Sequence, residues 1–206
     1  PWPAAIAATA LLLALAAPAL GMRLGFPDAG NDPKDTMTRQ SYDLNTEGFG
    51  PGTNGPLVIA AEMSSPEDPE AINSFANRLR SEPDVAFVPP PTFNTDGDAA
   101  IVNVIPKTSP QDQETEDLVH HIRDTVVPEE LGGTGVIAEV GGVTAALEDQ
   151  SEYILDRMPL FIAGVVGLSF LLLLVAFLSP FISLKAGVMN LLSVGAAFGV
   201  MTLAAK

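Results

Sequence analysis

Three runs without a charged side chain constrain this chain more than any other feature. Pro3 to Met22, Pro159 to Leu178 and Ala186 to Ala205 each hold about twenty such residues, and at 1.5 Å per helical residue each can cross a ~30 Å hydrocarbon core. The charge is segregated to match. All 25 Asp and Glu lie between Asp28 and Asp156, and eight of the ten Lys and Arg lie between Arg23 and Arg157, leaving only Lys185 and Lys206 beyond. A globular domain interleaves surface and core along its sequence, so 47% apolar residues beside a net charge of −15, kept apart in this way, imply two different solvents.

The expected architecture is membrane α-helical plus α+β. Residues 1–22, 158–178 and 184–206 form three transmembrane helices, and residues 23–157 form an acidic soluble domain inserted after the first. A second reading applies to the first run, because Ala17-Pro18-Ala19 resembles the end of a secretory signal peptide. Against it stand the missing initiating Met, the lack of basic residues ahead of Trp2, and a run longer than a typical signal core. The missing Met, and a last helix that stops at Lys206, read as cuts through a longer polytopic chain. Lys185 alone charges the Ser179 to Lys185 connection. It assigns that loop to the cytoplasm and the acidic block to the extracytoplasmic side. The lack of Cys says nothing of redox compartment, since exported domains need no disulfides.

Within the block, the leading segment is rich in turn formers and is expected to be a loop. Leu57 to Met63 is a strand candidate, and Ser65-Pro66-Glu67-Asp68-Pro69 is a helix start with a capping Ser or Asp. Ile72, Phe75, Ala76 and Leu79 recur at i, i+3, i+4 and i+7, an apolar stripe that requires a sheet to lie on. Val85 to Val88 and Ala99 to Ile105 are expected to pair across the Asp96-Gly97 turn. Ser109-Pro110-Gln111-Asp112 starts a second helix with Leu118, Ile122 and Val126 as its apolar face, and Gly135 to Gly141 is a fourth strand. The order β-α-β-β-α-β is the split βαβ of a ferredoxin-like fold. From Val143 the chain turns helical and runs into the second span, carrying Glu148, Glu152 and Asp156 at i, i+4 and i+8 as one acidic stripe.

Several stretches resemble a known family: Pro18-Ala19-Leu20-Gly21-Met22-Arg23-Leu24-Gly25, Arg39-Gln40-Ser41-Tyr42-Asp43, Gly48-Phe49-Gly50-Pro51-Gly52-Thr53-Asn54-Gly55-Pro56-Leu57, Gly141-Gly142-Val143-Thr144-Ala145, Arg157-Met158-Pro159-Leu160-Phe161-Ile162, and Leu184 to Ala197. Together they cover the chain in the order of the MmpL family of resistance-nodulation-division (RND) transporters. The Gly-Phe-Gly-Pro-Gly stretch is similar to the second half of such proteins. The resemblance therefore implies the seventh membrane helix, the second porter domain, and the eighth and ninth helices. One departure is Phe177-Leu178-Ser179, where the family often has Phe-Arg-Ser.

The resemblance implies a multi-pass protein of the bacterial inner (plasma) membrane that exports lipids, lipid-like molecules or drugs, driven by the proton gradient. Its partners would be membrane lipids, a hydrophobic or lipid substrate, and the remaining half of the transporter. Proton coupling needs ionisable groups inside the membrane. In the family an Asp-Tyr pair on the fourth and tenth helices does this, and neither helix is in this chain; Tyr42-Asp43 lies in the soluble block and does not replace it. The alternative function is a membrane-anchored extracytoplasmic binding or scaffolding protein with a cleaved signal peptide.

An enzyme is not expected. The chain has no Cys and no Gly-x-Ser-x-Gly, and its two His sit side by side. No catalytic, cofactor-binding or metal residues are expected. His120-His121 beside Glu116, Asp117 and Asp124 suggests a metal, but adjacent helical residues point about 100° apart. Asn94-Thr95-Asp96-Gly97-Asp98 lacks the length and closing Glu of a calcium loop and reads as a hairpin turn. The glycines of Gly48 to Gly55 have no Lys-Ser/Thr partner for a phosphate loop and let the chain turn into the first strand. Net charge −15 repels phosphate and argues against nucleic acid. The substrate-path candidates are Glu148, Glu152 and Asp156 on the leading helix, and Asn190 inside the third span. Asn190 and Ser193 would bond to a neighbouring helix, and Gly164, Gly167, Gly187, Gly195 and Gly199 allow close helix packing.

Overall fold

The computed structural model describes residues 2–21, 25–65 and 68–204. It divides into two compact units, one formed by Gly25–Glu152 and one by the N-terminal helix together with Tyr153 onward. The expected boundary at Met22 and Arg23, and Pro66 and Glu67 of the first helix start, lie outside the described residues.

In the sheet unit, β1 (Leu57–Glu62), β2 (Val85–Phe87), β4 (Ala99–Pro106) and β5 (Ile137–Gly141) occupy the four expected positions, and a two-residue β3 (Thr92–Phe93) joins them. The spatial order is β2-β4-β1-β5, with β3 also on β4, and every pairing is antiparallel. Alternation sets the register. Leu57 faces Val104, Ile59 faces Val102 and Ala61 faces Ala100 across β1 and β4, and all six are buried. The opposite face is left open, with Ile101 at 45% and Ile137 at 62% exposure.

Two helical layers cover the buried face. α3 (Asp68–Arg80) brings Ile72, Phe75, Ala76 and Leu79, the predicted stripe, into the core. The Asp68 carboxylate starts it by accepting the Ser64 and Ser65 amides at 2.6 Å each. The second layer is α4 (Gln113–His121), a π-helical turn (Ile122–Val126) and α5 (Val127–Leu131). Leu118, Ile122 and Val126 are buried as expected. In an unbroken α-helix Leu131 would sit about 220° around the axis from Leu118, on the far side. The extra residue held in the π turn rotates the succeeding residues back by about 100°. Leu131 is thereby buried, and Val127 packs against the core.

The leading segment differs from its expected form. Met37–Phe49 is an α-helix, α2, whose first turn is capped by the Thr36 hydroxyl accepting the Arg39 amide at 3.3 Å. It ends at Gly50 with φ +93, a conformation that favours glycine, and a 3-10 turn at Pro51–Asn54 leads to β1. Gly142, with φ +98, makes the corresponding reversal out of β5, where a Cβ would press on the Pro56 carbonyl. The buried Thr144 hydroxyl then donates to the Gly55 carbonyl at 3.0 Å. The Asn94 to Asp98 segment is a hairpin turn as expected, but the strand it joins to β4 is β3, while β2 pairs with the far end of β4. Asn94 Oδ1 accepts the Asp98 and Ala99 amides, and Gly97 has φ +75.

α6 (Val143–Phe177) is continuous over 35 residues and α7 (Pro180–Ala204) over 25; both are long and apolar enough to cross a membrane. α1 (Trp2–Ala16) is shorter and continues as a 3-10 turn through Gly21. α1 packs on α7, where Ser183, Gly187, Ala196 and Gly199 are buried. A Cβ on Gly199 would run into the Leu15 carbonyl, and one on Gly195 would lie 3.3 Å from that of Ala16. Gly164 and Gly167 on α6 face nothing within 4 Å. Leu178, the residue that departs from the family pattern, ends α6 with φ 48, an uncommon conformation for a side chain with a Cβ.

Candidate functional site

One group of charged residues of the sheet unit gathers where the first turns of α6 lie beside α4. Glu116 and His120 are four apart on α4 and share a face, as do Glu148 and Glu152 on α6. His120 Nε2 lies 4.0 Å from a Glu148 carboxylate oxygen and 3.6 Å from one of Glu152. Donor atoms of Glu116, His120 and Glu148 all lie within 4.8 Å of one another. Next to them, the Arg123 guanidinium donates to both oxygens of Asp149, one of them at 3.0 Å, and to the Val140 carbonyl at 2.6 Å. The hydrogen bond and charge of Arg123 hold the Asp149 carboxyl below its ordinary value, against a smaller opposing effect of burial, and the same bond raises Arg123. This fork fixes the rotation of α6 against β5.

The two histidines diverge, as adjacent helical positions must. His121 Nε2 lies 3.1 Å from Glu82, whose buried carboxylate is also bonded by Arg78. This second cluster ties α4 to the end of α3.

Of the four substrate-path candidates, the structure brings Glu148 and Glu152 together at His120. Asp156 is exposed further along α6, and Asn190 is exposed on α7. Sequence reasoning did not single out Asp149 or Arg123, nor did it link His120 to Glu148, since no local pattern relates positions so far apart.

A separate open hollow of about 450 Å³ lies between the leading segment and α2, lined by Asp28, Thr38, Ser41, Tyr42 and Asn54 among others. Burial raises the Tyr42 hydroxyl pKa; a hydrogen bond with Ser109 opposes this, and the charges of Asp28 and Asp112 add to it. Asp43 is tied to Arg39 at 2.8 Å on the surface of α2.

The model of the family described as "MMPL family" matches residues 58–206. The chain is 35% identical over 192 residues to the "Membrane protein YdfJ" of Bacillus subtilis, covering 92% of this chain and 26% of that protein. It is 32% identical over 217 residues to the "Heme uptake protein MmpL11" of Mycobacterium tuberculosis, covering 98% and 21%. It is 29% identical over 205 residues to the "Mycolic acid-containing lipids exporter MmpL11" of Mycolicibacterium smegmatis, covering 97% and 21%. The chain thus spans about a quarter or less of the length of these relatives.

Proposed function

The chain belongs to the MMPL family, and from that premise we propose that it is one stretch of an RND-type secondary transporter that moves lipids, lipid-like molecules or drugs outward across a bacterial inner membrane, using the proton gradient. The observation behind this is the match across residues 58–206. It joins a sheet domain to long apolar helices, in a chain similar to proteins whose names speak of transport.

In this reading the sheet unit is an extracytoplasmic porter domain. Its strand order β2-β4-β1-β5, all antiparallel, with α3 and α4 on one face, supports the ferredoxin-like split βαβ, with β3 as an addition. α1, α6 and α7 are three membrane spans. The 15 α-helical residues of α1 followed by five 3-10 residues reach roughly 32 Å, enough for the hydrocarbon core. The small residues of α7 that receive α1 support its persistence, because a cleaved leader would leave that groove uncovered. Asn190 and Ser193, exposed on α7, and Gly164 and Gly167 on α6 then face helices contributed by the rest of the transporter. Glu148, Glu152 and Asp156 border the substrate path, and the proton relay lies on those other helices.

The test is transport by the full-length protein in liposomes carrying a fluorescent lipid and an imposed proton gradient. Gradient-dependent lipid movement is expected, abolished by an ionophore and by deletion of residues 25–152. Movement indifferent to the gradient would remove proton coupling. No movement, together with a mature N-terminus just after Ala19, would replace the transporter by a membrane-anchored binding or scaffolding protein.

A further inference from the structure

We propose that Glu116, His120, Glu148 and Glu152 form a binding site for a divalent first-row transition ion, bridging α4 to the first turns of α6. Glu116, His120 and Glu148 bring ligand atoms within 4.8 Å of one another, and Glu152, one turn beyond Glu148, approaches the same imidazole; pairs at i, i+4 on neighbouring helices are what helical bundles use to hold metals. His120 Nε2 is already 3.6 Å from Glu152 and 4.0 Å from Glu148. Ligands at ~2.1 Å from a tetrahedral ion sit roughly 3.4 Å apart. The set therefore closes by about an ångström of carboxylate movement, which the three rotatable bonds of a Glu side chain supply.

Charge favours a cation at this point. Three carboxylates lie about one imidazole, and the Arg123 guanidinium has its fork engaged by Asp149 and the Val140 carbonyl. Exposure is graded as an ion site requires, with side chains at 19% for Glu148, 35% for His120 and 52% for Glu152. Three ligands are sheltered and the fourth side opens to solvent as a route of entry. The imidazole selects a transition ion over magnesium or calcium, which prefer oxygen donors alone. An independent feature lies beside the set. The π-helical turn begins at Ile122, two residues past His120, and such turns occur frequently at functional sites. The objection that adjacent histidines cannot share one ion does not apply, since His121 belongs to the Glu82 cluster.

Titration of the whole chain in detergent with zinc chloride, followed by calorimetry, tests this. We expect one ion per chain. His120→Ala should weaken binding at least tenfold, Glu152→Gln severalfold, and His121→Ala should leave it unchanged. Circular dichroism establishes that each variant is folded, and Glu152→Gln, at an exposed position, keeps the test open if His120→Ala does not fold. The proposal is overturned by the absence of saturable zinc binding to the unaltered chain. It is equally overturned by binding that survives both His120→Ala and Glu152→Gln, or by magnesium binding with equal affinity, which would mark only an acidic surface.

Discussion

In the sheet unit the fully buried side chains are large, Phe75, Leu57, Ile59, Ile72 and Leu79 among them; on α7 the buried residues are Ser183, Gly187, Ala196 and Gly199, while Phe181 on the same helix is 87% exposed. Water drives the first pattern, since removing apolar area from it is favourable. For the apolar helices a lipid solvent offers Leu and Phe nothing to escape from, so contact comes from small residues that let backbones approach. The same residue types thus occupy opposite places in the two units.

The comparison is tested most severely by Leu79→Ala. This should cost the sheet unit 2–5 kcal/mol of stability, about the range for a fully buried leucine, read from chemical denaturation of the folded chain in detergent. A smaller loss would mean that α3 is not held by its stripe. The helical unit should fail by the opposite change. The double variant Ala16→Cys/Gly195→Cys should form a disulfide readily, because the two Cβ positions fall 3.3 Å apart, near the spacing such bonds adopt. Adding Gly199→Leu should sharply reduce its yield, at a packing cost of about 1–3 kcal/mol; an unchanged yield would show that small residues do not set this contact.

A smaller effect is expected at Asp149. Its carboxyl lies below the ordinary value of 3.8, so the stability it adds is fully present above that value and is lost as pH falls through the lower folded value. The group is half exposed, which limits the gain to about 1 kcal/mol or less. The stability gap between the natural chain and Asp149→Asn should be constant above about pH 5 and close below it. A gap that persists in acid would mean that packing, and not charge, fixes α6. The smallest effect belongs to Leu172→Ala, an exposed position on α6, where a change within about 0.5 kcal/mol is expected. A loss as large as that at Leu79 would reveal a partner packed on this face in detergent.

Legibility followed the size of the apolar signal. Ile72, Phe75 and Leu79 repeat with helical spacing because they cover a sheet, and the strands alternate because only one face is buried; both elements could be read from residue order alone. α2 has no buried residue, so nothing in its hydropathy marked it. Its signal was chemical, Thr36 ahead of Met37 and Gly50 after Phe49, and the surrounding turn formers obscured it. β3 is two residues long and leaves no pattern. The π turn is visible in retrospect, since Leu131 cannot share a face with Leu118 in an unbroken helix. The acidic stripe was legible as a stripe, but its partner His120 was not, because the meeting of α4 and α6 depends on where the π turn, α5 and β5, which separate them in the chain, bring the chain back.

The continuity of α6 also restricts how this sequence can change in length. From Tyr153 to Phe177 every residue is a step of about 100° and 1.5 Å along one helix. Inserting or deleting a single residue after Pro159 would leave the side chains before it in place, yet turn every apolar side chain beyond it to a new azimuth. Substitutions there are cheap, whereas a change of one residue in count is a rotation of the entire remaining helix. Insertions and deletions in this stretch should therefore survive only in near-whole turns, three, four or seven residues at a time, while the Asn94 to Asp98 hairpin tip, which ends no rod, tolerates any number.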